Sequence, residues 1–358
     1  MFVDVMKLFR VRISQQRLRT PPDLSYRAYI GEGKKKCHSL PALLFPMYRT
    51  TLSSQPLKFI LSRATQTRPL TTMAPTPTTS TRQPLKLLML HGYTQSGPLF
   101  HAKSRALTKH IQKVFPLHEV TAIYPTAPIR LLPSDIPGYE PSTEGGSDNE
   151  IESYGWWRRS NTANPPLYIG IEEGFAAVAR TLKEEGPFDG VIGFSQGAAL
   201  AAMVAALLEP GRKASFEHFS KISAEGAAGI NIPAPFGEEG FQHPQLKFAV
   251  CYSGFRAPGA RYRGFYEEPA IQTPVLHVLG SLDAVVEEAR SRALVEACAG
   301  EPEKDGLVVW HPGGHFLPSQ RPYLDATVRF IREQLERSNG LNDKGEVEED
   351  VNDMDLPF

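Results

Sequence analysis

The sequence predicts an α/β protein, a mostly parallel sheet with helices on both faces, and three observations carry that expectation. Apolar runs of strand length alternate with helical stretches from about residue 84 to residue 336. Several of those runs, such as LKLLML (residues 85–90) and FAVCY (248–252), are apolar almost without interruption, the mark of strands buried on both faces. Glycine-rich turns follow two of them, HGYTQSG after the first and GFSQG at residues 193–197, at the carboxyl ends where such sheets place their sites.

Taken in order, LKLLML opens as a strand, and LFHAKSRALTKHIQKVF (99–115) reads as a helix with Leu99, Ala102, Ala106, Ile111 and Val114 near helical spacing. VTAIYPTAP (120–128) is a strand ending in prolines. Residues 130–167, rich in Pro, Gly and Ser around YGWWRR, read as a long loop or lid. IEEGFAAVARTLKEEG (171–186) is a helix closed by glycine, FDGVIGF (188–194) a strand, and SQGAALAAMVAALL (195–208) a helix of strong helix formers. A polar, Gly/Pro-rich stretch over about 209–245 has no strong period and reads as a surface insertion. Strands at 246–255, 274–280 and 306–314 follow, with helices at 287–298 and 319–336.

The composition sets limits. With 39 basic and 39 acidic residues over 358 positions the formal net charge is zero, so the balance points neither to nucleic acid nor to an anionic membrane. The zero conceals an asymmetry. Residues 1–83 are basic, with Asp4, Asp23 and Glu32 their only acids, and the end (337–358) is acidic; neither shows apolar periodicity, and both are expected to lack fixed structure. The Arg-rich, acid-poor start suits a mitochondrial transit peptide; equally, Met73 opens a natural start, with residues 1–72 a dispensable leader or an upstream extension of the gene model. A cytoplasmic location goes with the second reading, a mitochondrial one with the first. The longest apolar stretch, around 198–208, is shorter than the about 20 residues a membrane span needs. Cys37, Cys251 and Cys298 are widely spaced, without the pattern of a disulfide framework or a zinc site.

The chemistry centres on Ser195. Gly193-Phe194-Ser195-Gln196-Gly197 matches G-x-S-x-G, a motif weak alone but here set between an apolar strand and an alanine-rich helix, the context of a nucleophile elbow. The turn would project the hydroxyl from the sheet edge and leave the Gln196 N–H at a helix N-terminus, suited to a developing oxyanion. A serine needs a base and an orienting carboxylate, in the order Ser, Asp, His. Asp283, directly after a strand, and His315, in a glycine-rich loop after the next, fit. Asp283 reads equally as a helix N-cap, and His315 as a loop histidine bonded to backbone; His311 is the rival base. His311 and His315 do not form a metal pair, because Pro312-Gly313-Gly314 between them forbids the helix that i, i+4 ligands need.

The second oxyanion N–H is expected from Tyr93 or Thr94 after Gly92, with Tyr93 preferred; the alternative is a plain strand-to-helix turn. Cys251 reads as a small buried strand residue rather than a nucleophile. Trp156 and Trp157, with Phe194, are candidates for lining the acyl pocket, and the two tryptophans read equally well as packing the loop down. No metal or cofactor is expected.

With LMLHGYTQSG, GVIGFSQGAALAAM, GSLDAVV and PGGHFLP in this order, the chain resembles the fungal serine hydrolase (FSH) family, a group that includes the human ovarian-cancer-associated serine hydrolase, over about residues 84–336. The resemblance implies an α/β-hydrolase fold, a triad of Ser195, Asp283 and His315, and activity on carboxylic esters or thioesters, small molecules in either case. The leading expectation is a serine carboxylesterase; the alternatives are an acyl thioesterase releasing a polyketide or fatty acid, and a hydrolase-fold protein that binds without turnover. Chain length, leaving group and oligomeric state stay open.

Overall fold

A computed structural model of the protein describes residues 82–136, 152–160, 162–222 and 228–345. Six parallel strands form the central sheet: β1 (Gln83–Leu90), β2 (His118–Ile123), then, after four two-residue strands, β7 (Gly190–Phe194), β8 (Phe248–Tyr252), β9 (Val275–Gly280) and β10 (Val308–His311). They lie side by side in the order β10-β9-β8-β7-β1-β2. The short pieces pair antiparallel outside it, β3 (Ile129–Arg130) with β4 (Tyr154–Gly155) and β5 (Arg158–Arg159) with β6 (Tyr168–Ile169). The chain therefore leaves β1 toward β2 on one side and returns to β7 on the other. That reversal opens a crevice at the carboxyl ends of β1 and β7, where ligands of open α/β sheets sit.

The helices are α1 (Gly97–Val114), α2 (Ile171–Glu185), α3 (Gln196–Leu207), α4 (Arg212–Ser220), α5 (Ala234–Gly237), α6 (Glu288–Val295) and α7 (Arg321–Gly345). They make two cores, one per face of the sheet. Side chains alternate along β1: Leu85, Leu87 and Met89 pack with α1 and α7, while Leu88 and Leu90 face α2 and α3. Along β8, Phe248, Val250 and Tyr252 face the first core, Ala249 and Cys251 the second. Helix α3 is buried on every side, which its small alanines permit by letting strands and helices approach closely.

Three expectations are changed by packing. The buried face of α1 is Phe100, Ser104, Leu107, Thr108 and Ile111, while Leu99 is 40 % exposed. The stripe was hidden in the sequence because two of its members are polar; Ser104 Oγ bonds the Tyr124 hydroxyl at 3.0 Å and Thr108 Oγ1 donates to Arg105 O at 3.3 Å. The stretch around 209–245, expected as a surface insertion, carries α4, and its Phe216 enters the core. A buried ion pair anchors it: Arg212 Nη2 meets Glu209 Oε2 at 2.5 Å, and Glu209 Oε1 accepts from the N–H groups of Gln272 and Thr273 at 2.8 and 2.7 Å. Finally, α7 continues past Glu336 to Gly345. The expected leader, apart from residues 82–83, and the remainder of the acidic tail lie outside the described residues.

Candidate active site

Ser195 follows β7 directly and opens α3 with φ 54° and ψ −118°, a conformation that costs a non-glycine residue on the order of 1–3 kcal/mol. The surroundings hold it there. Ser195 N–H donates to Tyr252 O at 2.8 Å, and Ser195 O accepts from the N–H groups of Ala198 and Ala199, each at 3.0 Å. The flanking glycines are dictated by close approach. A Cβ at Gly193 would lie 2.2 Å from Gly197 O, and one at Gly197 would lie 2.1 Å from Leu90 O. Only with both glycines can α3 start against β1 and β7.

The structure brings Asp283 and His315 to that serine. His315 Nε2 is 2.9 Å from Ser195 Oγ, and His315 Nδ1 is 2.8 Å from Asp283 Oδ2. A carboxylate accepts only, so the proton sits on Nδ1 and Nε2 is left to accept from the serine hydroxyl. The competing N-cap reading does not hold, because Glu287 is the N-cap of α6; Asp283 Oδ1 instead accepts the N–H groups of Val285 and Val286 in the turn before that helix, both at 2.9 Å. Partial burial raises the Asp283 carboxyl, but the bonds from Val286, His315 and Val285 outweigh it and hold the group below the usual carboxylate range. His311, the rival base, ends β10 almost fully buried, with Nδ1 accepting from Gly313 N–H at 3.2 Å and its ring against Phe316 and Tyr323.

The two expected oxyanion donors sit on the two turns flanking the crevice. Among the described residues neither the Tyr93 N–H nor the Gln196 N–H has a hydrogen-bond partner. Gly92 keeps the first turn close to the second, for a Cβ there would stand 2.9 Å from Phe194 Cδ1. The Tyr93 side chain is occupied elsewhere, its hydroxyl donating to Asp135 O at 3.0 Å.

Trp156 and Trp157 are core residues, 0 % and 2 % exposed, and correct the pocket-lining expectation. Their task is to stitch the turns together. Trp156 N–H donates to Gln196 Oε1 at 2.8 Å, Gln196 Nε2 donates to Trp157 O at 2.8 Å, and Trp156 Nε1–H donates to His91 O at 2.9 Å. His91, a residue sequence reasoning passed over, completes the clamp: Nδ1–H donates to Gly92 O at 2.8 Å and Nε2 accepts from Ala127 N–H at 2.9 Å. Burial drives its pKa down to about 4, so it is a neutral, fully bonded strut. Its position between an apolar strand and the glycine of the turn was the available signal.

A pocket of about 530 Å³ opens beside Ser195 and His315, a size suited to a small ligand. Its walls are mainly apolar, with Phe100, Ile136, Phe194, Val285, Phe316 and Leu317, and Lys103 stands among them. Phe194 stands in that wall with its ring 4.9 Å from that of His315. Phe316 and Leu317, adjacent to His315 in the chain, were within reach of the same reasoning; Phe100 and Lys103 come from α1 and depend on the fold. Cys251 is fully buried, its Sγ donating to Ala198 O at 3.3 Å, and burial pushes the thiol far above the range of a nucleophile. No helix among the described residues is long and apolar enough to cross a membrane.

The sequence has known relatives. The family described as "Serine hydrolase (FSH1)" matches residues 79–327. A Danio rerio protein named "Esterase OVCA2" is 33% identical over 260 residues, 69% of this chain and 98% of that one. A Saccharomyces cerevisiae protein named "Family of serine hydrolases 3" is 31% identical over 290 residues, 75% of this chain and 96% of that one. A Schizosaccharomyces pombe protein named "Dihydrofolate reductase" is 35% identical over 253 residues, and the alignment takes in 70% of this chain but 47% of that longer one. With the elbow, the sheet order and these relatives together, the chain belongs to the serine hydrolase (FSH1) family.

Proposed function

We propose that the protein hydrolyses carboxylic esters of small molecules, with Ser195, His315 and Asp283 as a catalytic triad carried by residues 84–336. The observation that supports this reading best is the unbroken chain of hydrogen bonds from Ser195 Oγ through His315 to Asp283, at 2.9 and 2.8 Å. In this mechanism Ser195 Oγ attacks the acyl carbonyl while His315 Nε2 takes its proton, and Asp283 holds the imidazole and stabilises its charged form. The N–H groups of Gln196 and Tyr93 receive the oxyanion; removal of one such donor in comparable sites costs about 3 kcal/mol. His315 then protonates the leaving alcohol, and water, deprotonated by the same ring, releases the acid. The apolar walls of the pocket suit the acyl chain of such a substrate.

The test is covalent labelling with a fluorophosphonate probe, comparing wild type with Ser195→Ala and His315→Ala, each checked for native folding. Labelling is expected in wild type and absent from both variants. A folded wild type that never labels would overturn the reading in favour of binding without turnover. Parallel kinetics on matched oxygen esters and thioesters then fix the leaving group, and a strong thioester preference would replace the carboxylesterase reading by a thioesterase.

A further inference from the structure

A second pocket, of about 510 Å³, shares none of the residues that line the Ser195 site and has arginines in its wall. Four reach it from separate parts of the chain: Arg159 in β5, Arg256 after β8, Arg263 in the short 3-10 helix Ala260–Phe265, and Arg290 in α6. Glu267 is the sole carboxylate among its lining residues. Arg263 Nε holds that carboxylate at 2.7 Å on one oxygen, and Arg256 Nη2 holds the other oxygen. One acid against four guanidinium groups leaves the pocket three positive charges in excess.

The cations are braced rather than loose. Glu267 fixes two of them, Arg290 lies with its guanidinium carbon 4.2 Å from the centre of the Phe255 ring, and Arg256 lies 5.0 Å from that of Tyr266. Arg256 N–H also donates to Arg290 O at 3.2 Å, joining the two segments.

We propose that this pocket binds the phosphate or pyrophosphate group of a small ligand, through Arg159 and Arg290 backed by Arg256 and Arg263. A carboxylate would leave two of the excess charges unmatched, whereas a pyrophosphate offers enough charge and enough oxygens for several guanidinium forks at once. The proposal stands apart from the ester-hydrolase reading, because none of these residues lines the Ser195 pocket. Two sources share the chemistry: a phosphorylated leaving group such as the coenzyme A part of a thioester, and a free phosphate compound acting as an effector.

The experiment is a calorimetric titration of the full chain with coenzyme A and with inorganic pyrophosphate, at matched ionic strength. Saturable binding of at least one probe is expected, weakened about tenfold or more in Arg159→Gln and in Arg290→Gln, the loss of one charge-assisted hydrogen bond. Arg159 is exposed, so its variant keeps the fold even if loss of the Arg290 ring contact does not. Both variants should keep wild-type fluorophosphonate labelling and hydrolysis of a neutral short-chain ester, which separates failure of this proposal from failure of the hydrolase reading. Competitive inhibition of ester hydrolysis by coenzyme A, lost in the variants, identifies a leaving-group site; pyrophosphate binding without competition identifies an effector. Absence of saturable binding by either probe, or binding unchanged in Arg159→Gln, would overturn the proposal.

Discussion

Asp283→Asn separates geometry from protonation at the proposed triad. In the native site Oδ1 of Asp283 accepts two backbone N–H bonds at 2.9 Å while Oδ2 faces His315 Nδ1 at 2.8 Å. An asparagine side chain has the same shape but one acceptor. The N–H groups of Val285 and Val286 hold that acceptor, so the amide NH₂ is turned to His315. Two donors cannot bond each other, and the ring answers by moving its proton from Nδ1 to Nε2. It then donates toward Ser195 instead of accepting from it, and the serine has no base. Loss of the carboxylate also leaves the imidazolium of the transition state without its counter-charge. In triads where this tautomer inversion leaves the geometry intact, kcat falls about 10⁴-fold, equivalent to about 5.5 kcal/mol. Stability should change by no more than about 1 kcal/mol, because both backbone bonds survive. The assay is kcat and KM on a p-nitrophenyl ester, with a denaturant melt of each protein. A folded Asp283→Asn enzyme within tenfold of wild-type kcat would refute this account of the site.

Two further outcomes concern stability. Arg212→Met strands the Glu209 carboxylate in a site where both side chains are nearly fully buried, and should cost about 3–5 kcal/mol, lowering Tm by roughly 10 °C; a loss under about 1 kcal/mol in a denaturant melt would contradict the anchoring role given to this pair. Acid should destabilise the fold early. Burial lowers the pKa of His91 from 6.5 to about 4 and of His277 from 6.5 to about 3, so both are neutral when folded, and the unfolded chain binds more protons below pH 6.5. Their contribution is complete above that value and lost as pH falls toward 4 and below, up to about 3 kcal/mol for His91 alone. Denaturant melts at pH 7.5, 6 and 5 check this, and equal stability at all three would refute it.

Much of the site was legible in the chain because its chemistry is local. The strand-glycine-serine-glycine-helix pattern around Ser195 carries its own geometry, since Gly193 and Gly197 are required by contacts within the turn and with the neighbouring strand. Asp283 and His315 each follow a strand, and parallel strands end at one edge of the sheet, so their order in sequence already placed them near Ser195. The buried face of α1 was misread because Ser104 and Thr108 look solvent-facing until Tyr124 and the helix backbone satisfy them.

By itself the sequence determined the parallel α/β class, the run of strands and helices, and the strand-to-helix turn at Ser195 with the two candidate partners of the proposed triad, because hydrophobic period and turn chemistry are properties of neighbouring residues. Only the tertiary structure decided that Trp156 and Trp157 join the core and tie the Tyr93 and Gln196 turns together. It alone decided that α1 supplies Phe100 and Lys103 to the pocket, and that arginines from four segments converge on one place. Those are contacts between residues tens to more than a hundred positions apart. Which partner a buried amide, an indole N–H or a guanidinium meets is set by how the layers pack, and no local pattern encodes it.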